Sequence, residues 1–295
     1  MKPLGVIINP AANRGRGGLV GNQALGAFVE AGTPTINLSS DSAEGAKKLA
    51  LSQAHSLSGI VAIGGDGTSQ LGVNIAMEAD LPLGLIPAGS GNDQVRELGI
   101  SLSDPSGAVY NISEGLKKPR QVDVMRVETS YRSFWSLGSI SAGFDALCAE
   151  RANGLTWPKG PNSYVAAMLL ELPKFKPVEY RLLADGVERR FKAMLCGVAN
   201  VKNFGGGMKI SPKSDMSDGE LEVFILHEVS RPKLLKIFPT VYKGEHIQYK
   251  EVEIFKARNI RIENEGFPMT CDGEIIGPAP FSASIQPSAL TLLSR

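Results

Sequence analysis

A chain of 295 residues is long for one domain and comfortable for two hydrophobic cores. Hydrophobic content of 43% with 21% charged residues is that of an ordinary globular protein, and the net charge of +1 excludes a strong global field for nucleic acid or an anionic surface. Three cysteines (Cys148, Cys196, Cys271) and three histidines (His55, His227, His246) lie far apart without zinc-site spacing. They read as isolated groups in a reducing compartment. The N-terminal apolar stretch Leu4–Ile8 is too short for a signal peptide, and no run reaches the ~20 apolar residues that span a bilayer. These features point to the cytoplasm.

In chain order, Leu4–Ile8 reads as a buried strand, followed by a Gly-rich loop over Asn9–Gly18 and a helix to about Ala31. Thr35–Leu38 is a second strand. Asp41 and Glu44 have capping-box spacing ahead of a helix that runs to about Ala54. Gly59–Ile63 is a third strand, Gln70–Met77 a helix, and Leu83–Ile86 a fourth strand. Such alternation predicts a parallel sheet covered on both faces. Beyond a soft boundary at residues 118–123 the pattern changes to short alternating runs. They are Gln121–Glu128, Ser133–Ile140, Val178–Leu183, Phe191–Val198, Glu220–Leu226, Glu251–Phe255, Asn259–Glu263 and Phe281–Ile285. Asp185-Gly186 marks a hairpin, and helices are expected near Ser163–Leu172 and Pro232–Lys243. This half reads as an antiparallel sandwich or open barrel.

Three glycine-rich turns each follow a predicted strand of the first half: Asn9–Gly17, Gly64–Thr68 and Pro87–Asp93. In an open parallel sheet all three fall at the carboxyl edge, where ligands bind. Glycines there let backbone N–H groups approach an anion, and the helices that follow aim their positive ends at it. Thr68 and Ser90 add hydroxyl donors, and Asp66 can face a divalent cation. The P-loop pattern, the dinucleotide fingerprint and the serine elbow are each broken or absent.

The turn Gly64-Gly65-Asp66-Gly67-Thr68 resembles the signature of the diacylglycerol kinase, sphingosine kinase and NAD kinase superfamily. Asn9-Pro10 and Pro87–Asp93 are similar to its lipid-kinase branch, in particular the bacterial diacylglycerol-kinase-like enzymes. Asn203–Pro212, Asp215–Glu220 and Cys271–Glu274 match later motifs of that family in order and spacing. The resemblance implies an NAD-kinase-like α/β domain over residues 1–122 and an all-β sandwich over 123–295, with the active site in the cleft between them. It implies an ATP-dependent, Mg²⁺-dependent lipid kinase whose acceptor is diacylglycerol or a related lipid alcohol, met at a membrane surface. Nucleotide contacts would come from Asn9, Pro10, Ala11, Ala12, Asn13, Ser40, Gly64, Gly65, Asp66, Gly67, Thr68, Ser69, Gln70 and Ser90. A structural Mg²⁺ would be held by Asp215, Asp218 and the carbonyl of Glu220. Asp66, Asp93 and Asp123 would form an acidic cluster by the phosphates, and Glu274 would accept the lipid hydroxyl's proton, with Asp272 in reserve.

Departures from the family pattern are Asn13 and Ser90, for a usual Gly and Thr, and Ser69-Gln70-Leu71, where Asn-Glu is common. A kinase of a soluble acceptor such as NAD and an inactive nucleotide-binding regulator stay open as alternatives, as does a homodimer. No nucleic-acid partner is expected. Trp157–Lys176 mixes apolar, aromatic and basic side chains; it reads as a core-packing helix with solvated lysines, or as a segment that enters a headgroup layer.

Overall fold

The structure is a computed structural model and describes residues 2–158 and 161–294. The chain divides into two compact units. Unit 1 holds the residues up to Val124, Trp135–Leu137 and the segment from Pro287 onward; unit 2 holds Met125–Phe134 and Gly138–Gln286. The expected boundary is a single crossing at 122/123. The chain instead crosses first after Val124, dips back at Trp135–Leu137, and returns to unit 1 at its end.

Unit 1 is built from β1 (Leu4–Ile8), α1 (Ala12–Glu30), β2 (Thr35–Asn37), α2 (Ala43–Gln53), β3 (Gly59–Gly64), α3 (Asp66–Ala79), β4 (Leu83–Pro87), α4 (Asp93–Glu97) and α5 (Pro105–Gly115). Strand order is β2-β1-β3-β4, every pair parallel. Strands β3 and β4 are buried along their whole length, as a sheet covered on both faces requires. The helix after β2 is capped by Ser42, whose hydroxyl accepts the Gly45 N–H at 3.0 Å, and not by Asp41. Either residue suits an N-cap; the choice falls on the one three positions before a residue with no Cβ to crowd the turn. Helix α5 escaped the sequence reading although Asp104-Pro105 is a start signal: Asp104 accepts the Gly107 N–H at 2.9 Å.

Unit 2 takes parts of β5 (Arg120–Thr129) and β6 (Ser133–Ser136), then β7 (Ser139–Gly143), α6 (Phe144–Gly154), α7 (Pro161–Glu171), β8 (Val178–Ala184), β9 (Val187–Ala199), β10 (Leu221–His227) and α8 (Arg231–Val241). It closes with β11 (Val252–Ala257), β12 (Asn259–Asn264), β13 (Pro268–Cys271), β14 (Glu274–Pro278) and most of β15 (Phe281–Leu292). Strand order is β14-β13-β7-β9-β8-β12-β15, with β10 bridging β9 and β11. The pairings β7–β9, β8–β9, β9–β10, β10–β11, β8–β12, β12–β15, β7–β13 and β13–β14 are antiparallel. Strand β8 buries every second residue, the period expected of a strand with one wet face. The expected strand Ser133–Ile140 is two strands, broken at Leu137-Gly138. Helix α6 and the hairpin β13–β14 were not foreseen; both are short, and α6 is nearly devoid of amphipathic pattern. The core of unit 2 lies between the sheet and α6, α7 and α8, around Tyr180, Phe281, Met168 and Ile237.

The three cysteines are buried free thiols, and burial pushes the Cys148 and Cys196 thiols far up. Among the described residues no helix is long and apolar enough to cross a membrane.

Candidate active site

The three glycine turns of unit 1 meet. Asn9 at the end of β1 donates its N–H to the Ile63 carbonyl (2.9 Å), and its amide reaches Thr68 Oγ1 at 3.3 Å. Ala88 and Gly89 both donate to the Gly64 carbonyl, at 2.7 and 3.1 Å. A Cβ on Gly89 would stand 2.4 Å from the Gly65 Cα, so the second and third turns touch backbone to backbone and glycine is obligatory there. The first turn needs left-handed backbone at Asn13 (φ 46°), Arg14 (φ 59°) and Gly15 (φ 93°) before α1 becomes regular. Asparagine tolerates that region better than most residues, which is why the turn survives its Gly-to-Asn departure.

Asp66 is the clamp of this region. Its Oδ2 accepts the Asn92 N–H and its Oδ1 the Asp93 N–H, both at 2.8 Å, tying the start of α3 to the start of α4. Burial, and then the neighbouring Asp93 charge, push its pKa up to about 6 despite those donors. Two adjoining carboxylates whose repulsion a cation would relieve form a donor set that suits the Mg²⁺ of a nucleotide.

Other expected nucleotide contacts are placed differently. Gln70 donates its amide to the Trp135 carbonyl (2.5 Å), a carbonyl that Asn74 also engages at 2.9 Å. Ser69 is buried in the first turn of α3. Ser40 is exposed beside Gly45, while its neighbour Ser39 accepts the Ile8 N–H at the end of β1. Ser90 is exposed at the tip of the third turn. Asp123 is buried and accepts the Ser288 N–H at 2.7 Å, a contact that anchors the returning C-terminal segment.

In unit 2, Asp272 and Gly273 form the turn between β13 and β14, both with positive φ (50° and 83°). Asp272 is therefore not on a strand face with Glu274. Its carboxylate turns back to accept the Ser139 N–H at 3.0 Å, across from Gly138, where a Cβ would strike that oxygen. Glu274 opens β14 and is exposed.

At the turn expected to hold a metal, an ammonium lies beside the carboxylates. Asp215 Oδ1 accepts from the N–H and hydroxyl of Ser217 at 3.0 and 2.6 Å. Asp218 accepts the Glu220 N–H (3.0 Å) through one oxygen and Lys256 Nζ (2.6 Å) through the other, with Lys256 3.2 Å from Glu220. These carboxylates raise the Lys256 pKa. Among the described residues no group of three or more His, Cys, Asp or Glu side chains is arranged to hold a metal. Lys256 is thus the cation that Asp218 and Glu220 share in this structure.

A feature the sequence reading missed is an apolar cavity in unit 2, lined by α7 and α8 (Tyr164, Met168, Leu234, Phe238) and by Phe144 and Phe224. Two polar groups reach it. Asp145 is 4% exposed, accepts the Ser141 hydroxyl through Oδ2 and leaves Oδ1 without a partner. His246 donates its Nε2–H to the Ile210 carbonyl (3.0 Å) and leaves Nδ1 without a partner. The signal that could have exposed this site is Asp145 itself, an acid in the otherwise apolar run Phe144–Cys148.

Burial pushes the Asp145 pKa up to about 6. A folded pKa above the unfolded value means that the native state binds the extra proton, so this group's stabilisation is full below about pH 4 and is lost as pH rises through about 6. Asp145→Asn is therefore expected to gain about 2–3 kcal/mol over the parent protein between about pH 4 and about pH 7. Urea unfolding at the two pH values measures the gain; an unchanged difference would show that Asp145 is not held in its proton-binding state.

The parallel sheet with phosphate-type turns and the β-rich second unit define a kinase fold of two parts. Residues 3–127 match the family model of the diacylglycerol kinase catalytic domain, and residues 138–294 that of the YegS C-terminal NAD kinase beta sandwich-like domain. The chain is 32% identical over 290 residues to a diacylglycerol kinase of Mycobacterium tuberculosis (strain ATCC 25618 / H37Rv), covering 97% of this chain and 93% of the relative. It is 28% identical over 289 residues to a diacylglycerol kinase of Bacillus subtilis (strain 168), covering 95% and 92%. Two solved structures from Bacillus anthracis str. Sterne superpose with TM-scores of 0.79 and 0.73 at 20% and 18% identity. Each aligns over 100% of this chain and 97% of its own, and the second is of a diacylglycerol kinase; at that identity the likeness is one of fold alone. The chain belongs to the diacylglycerol kinase family of lipid kinases.

Proposed function

We propose that this protein transfers the γ-phosphate of ATP to the hydroxyl of a lipid alcohol. The observation that carries the reading is the backbone contact of the turns at Gly65 and Gly89 with Asp66 clamped beside it. That arrangement presents N–H groups and the helix α3 start to a polyphosphate, with a carboxylate pair for the accompanying cation. Asp66 and Asp93 are the residues that would face a Mg²⁺ arriving with the nucleotide, which would supply neutralising charge to the transferring phosphoryl group. Thr68 is assigned to the phosphates. The lipid's chain is assigned to the apolar cavity of unit 2, with Asp145 and His246 reading polar groups of its head. Glu274 takes the proton of the attacking hydroxyl as the new P–O bond forms and ADP departs.

The cavity favours a lipid over a soluble acceptor such as NAD, whose charged body an apolar wall would not stabilise. The test is transfer of radiolabel from γ-labelled ATP to a total lipid extract, to purified diacylglycerol, and to NAD. Label in a lipid product is expected. Met168→Trp, which fills the cavity, should raise KM for long-chain acceptors roughly tenfold or more, with little change for short-chain ones. Label in NAD and none in lipid would overturn the reading; nucleotide binding with no transfer to any acceptor would make the chain a regulator.

A further inference from the structure

The apolar cavity of unit 2 carries two hydrogen-bonding atoms that an acyl chain alone would leave stranded. Among the described residues that line it, only Asp145, His246 and Tyr164 bring a polar group to an otherwise hydrocarbon wall. Asp145 and His246 are 4% and 3% exposed, and among the described residues neither Asp145 Oδ1 nor His246 Nδ1 has a partner. A buried polar atom without a hydrogen bond is costly, so both atoms favour a ligand that completes them.

The chemistry of the missing partners follows from the partners already in place. A carbonyl only accepts, so His246 gives its Nε2–H to Ile210, and in the neutral ring Nδ1 then holds a lone pair. Burial holds the His246 pKa below its ordinary value, which keeps the ring neutral. Asp145 Oδ2 accepts the Ser141 hydroxyl. With its pKa pushed up by burial to about 6, Asp145 is still largely ionised at neutral pH, so its Oδ1 is an acceptor too. Both open atoms therefore call for donors, and hydroxyls are the donors that a lipid alcohol brings. An ester carbonyl serves neither of them, though the Tyr164 phenol can donate to one.

Size limits the tail. The cavity offers about 710 Å³ of empty space, its mouth included. A water claims about 30 Å³ of liquid and a methylene about as much, so this space takes roughly two dozen carbons. That is one acyl chain of ordinary length with its head, and not two. Diacylglycerol suits the site poorly on both counts, because it has two chains and no hydroxyl beyond the one that is phosphorylated.

We infer that the preferred acceptor is a single-chain lipid alcohol with at least one further hydroxyl, monoacylglycerol being the simplest, and that Asp145 and His246 select it. The inference rests on the lipid-kinase reading and narrows its acceptor.

The test compares transfer from γ-labelled ATP to monooleoylglycerol, dioleoylglycerol and oleyl alcohol, each at the same mole fraction in detergent micelles. The value of kcat/KM for monooleoylglycerol should exceed that for either other acceptor roughly tenfold or more. Oleyl alcohol lacks the second hydroxyl; dioleoylglycerol lacks it and adds a chain. Asp145→Leu with His246→Phe should erase the preference for monooleoylglycerol over oleyl alcohol. The comparison of acceptors needs no variant, so it stands even if that double variant fails to fold. A separate calorimetric titration, without nucleotide, uses monodecanoylglycerol below its micelle concentration. Binding is expected, and Met168→Trp should weaken it roughly tenfold or more. Dioleoylglycerol or oleyl alcohol used as well as monooleoylglycerol would overturn the inference and leave the lipid-kinase reading standing. Label in none of the three lipids would overturn both.

Discussion

Asp66→Ala is expected to lower turnover by a factor on the order of 10² or more and to lower the melting temperature as well. The carboxylate does two things at once. It holds the Asn92 and Asp93 N–H groups at 2.8 Å, so its removal strips two partly buried donors of their acceptor, at about 1–3 kcal/mol each. It also offers negative charge where the cation of a nucleotide is proposed to sit, a contact that matters most as charge redistributes in the transition state. Asp66→Asn separates the two roles, since the amide oxygen keeps one acceptor in place. It should retain more stability than the alanine variant while losing comparable turnover. With its pKa raised to about 6 in the nucleotide-free protein, Asp66 gains a proton as pH falls through that value, so kcat/KM for nucleotide in the parent enzyme should show an acid limb there. The asparagine variant's residual activity should lack it. Steady-state kinetics and melting curves on the three proteins decide the matter. Near-normal turnover in a folded Asp66→Ala protein would remove Asp66 from the site.

Glu274→Gln is expected to cost roughly 10²–10⁴-fold in turnover, the range that a positioned general base contributes. Because Glu274 is exposed at the head of β14, stability should change little, and nucleotide affinity should be unaltered. Asp272→Asn serves as the comparison, and the structure alters what it should do. Asp272 accepts the Ser139 N–H from within a turn at φ 50°, so it links β7 to the β13–β14 hairpin. Asparagine is at home in such a turn and keeps a carbonyl acceptor, so this variant should be about 1 kcal/mol less stable, with turnover within a few-fold of the parent. A dead Asp272→Asn protein beside an active Glu274→Gln protein would reverse the assignment. If both stayed active, the proton would leave by another route, and Asp66 would be the candidate to examine.

Much of the first unit was legible in the sequence because its signals are local. Apolar runs such as Gly59–Ile63 and Leu83–Ile86 have no choice but a buried strand. The glycine turns after them announce backbones in close approach, which only glycine permits, as at Gly65 and Gly89. The parallel order of β2-β1-β3-β4 follows from the helical connections between them. Asn13 could likewise be expected to accept left-handed backbone from its side chain alone. In the second unit the alternating runs announced an antiparallel β domain in the same way.

Tertiary structure decided what depends on partners distant in sequence. Asp123, which the sequence places after the first unit's last helix, accepts the N–H of Ser288, 165 residues away. Gln70, read as a nucleotide contact by its place after Thr68, gives its amide to Trp135, and Asp218 meets Lys256. A side chain's role in these cases is set by whichever donor or acceptor folding brings within hydrogen-bond reach, and spacing along the chain carries no record of that. The apolar cavity was invisible for the same reason: its lining comes from α7, α8 and residues as distant as Phe144 and Val252, each of which alone reads as ordinary core.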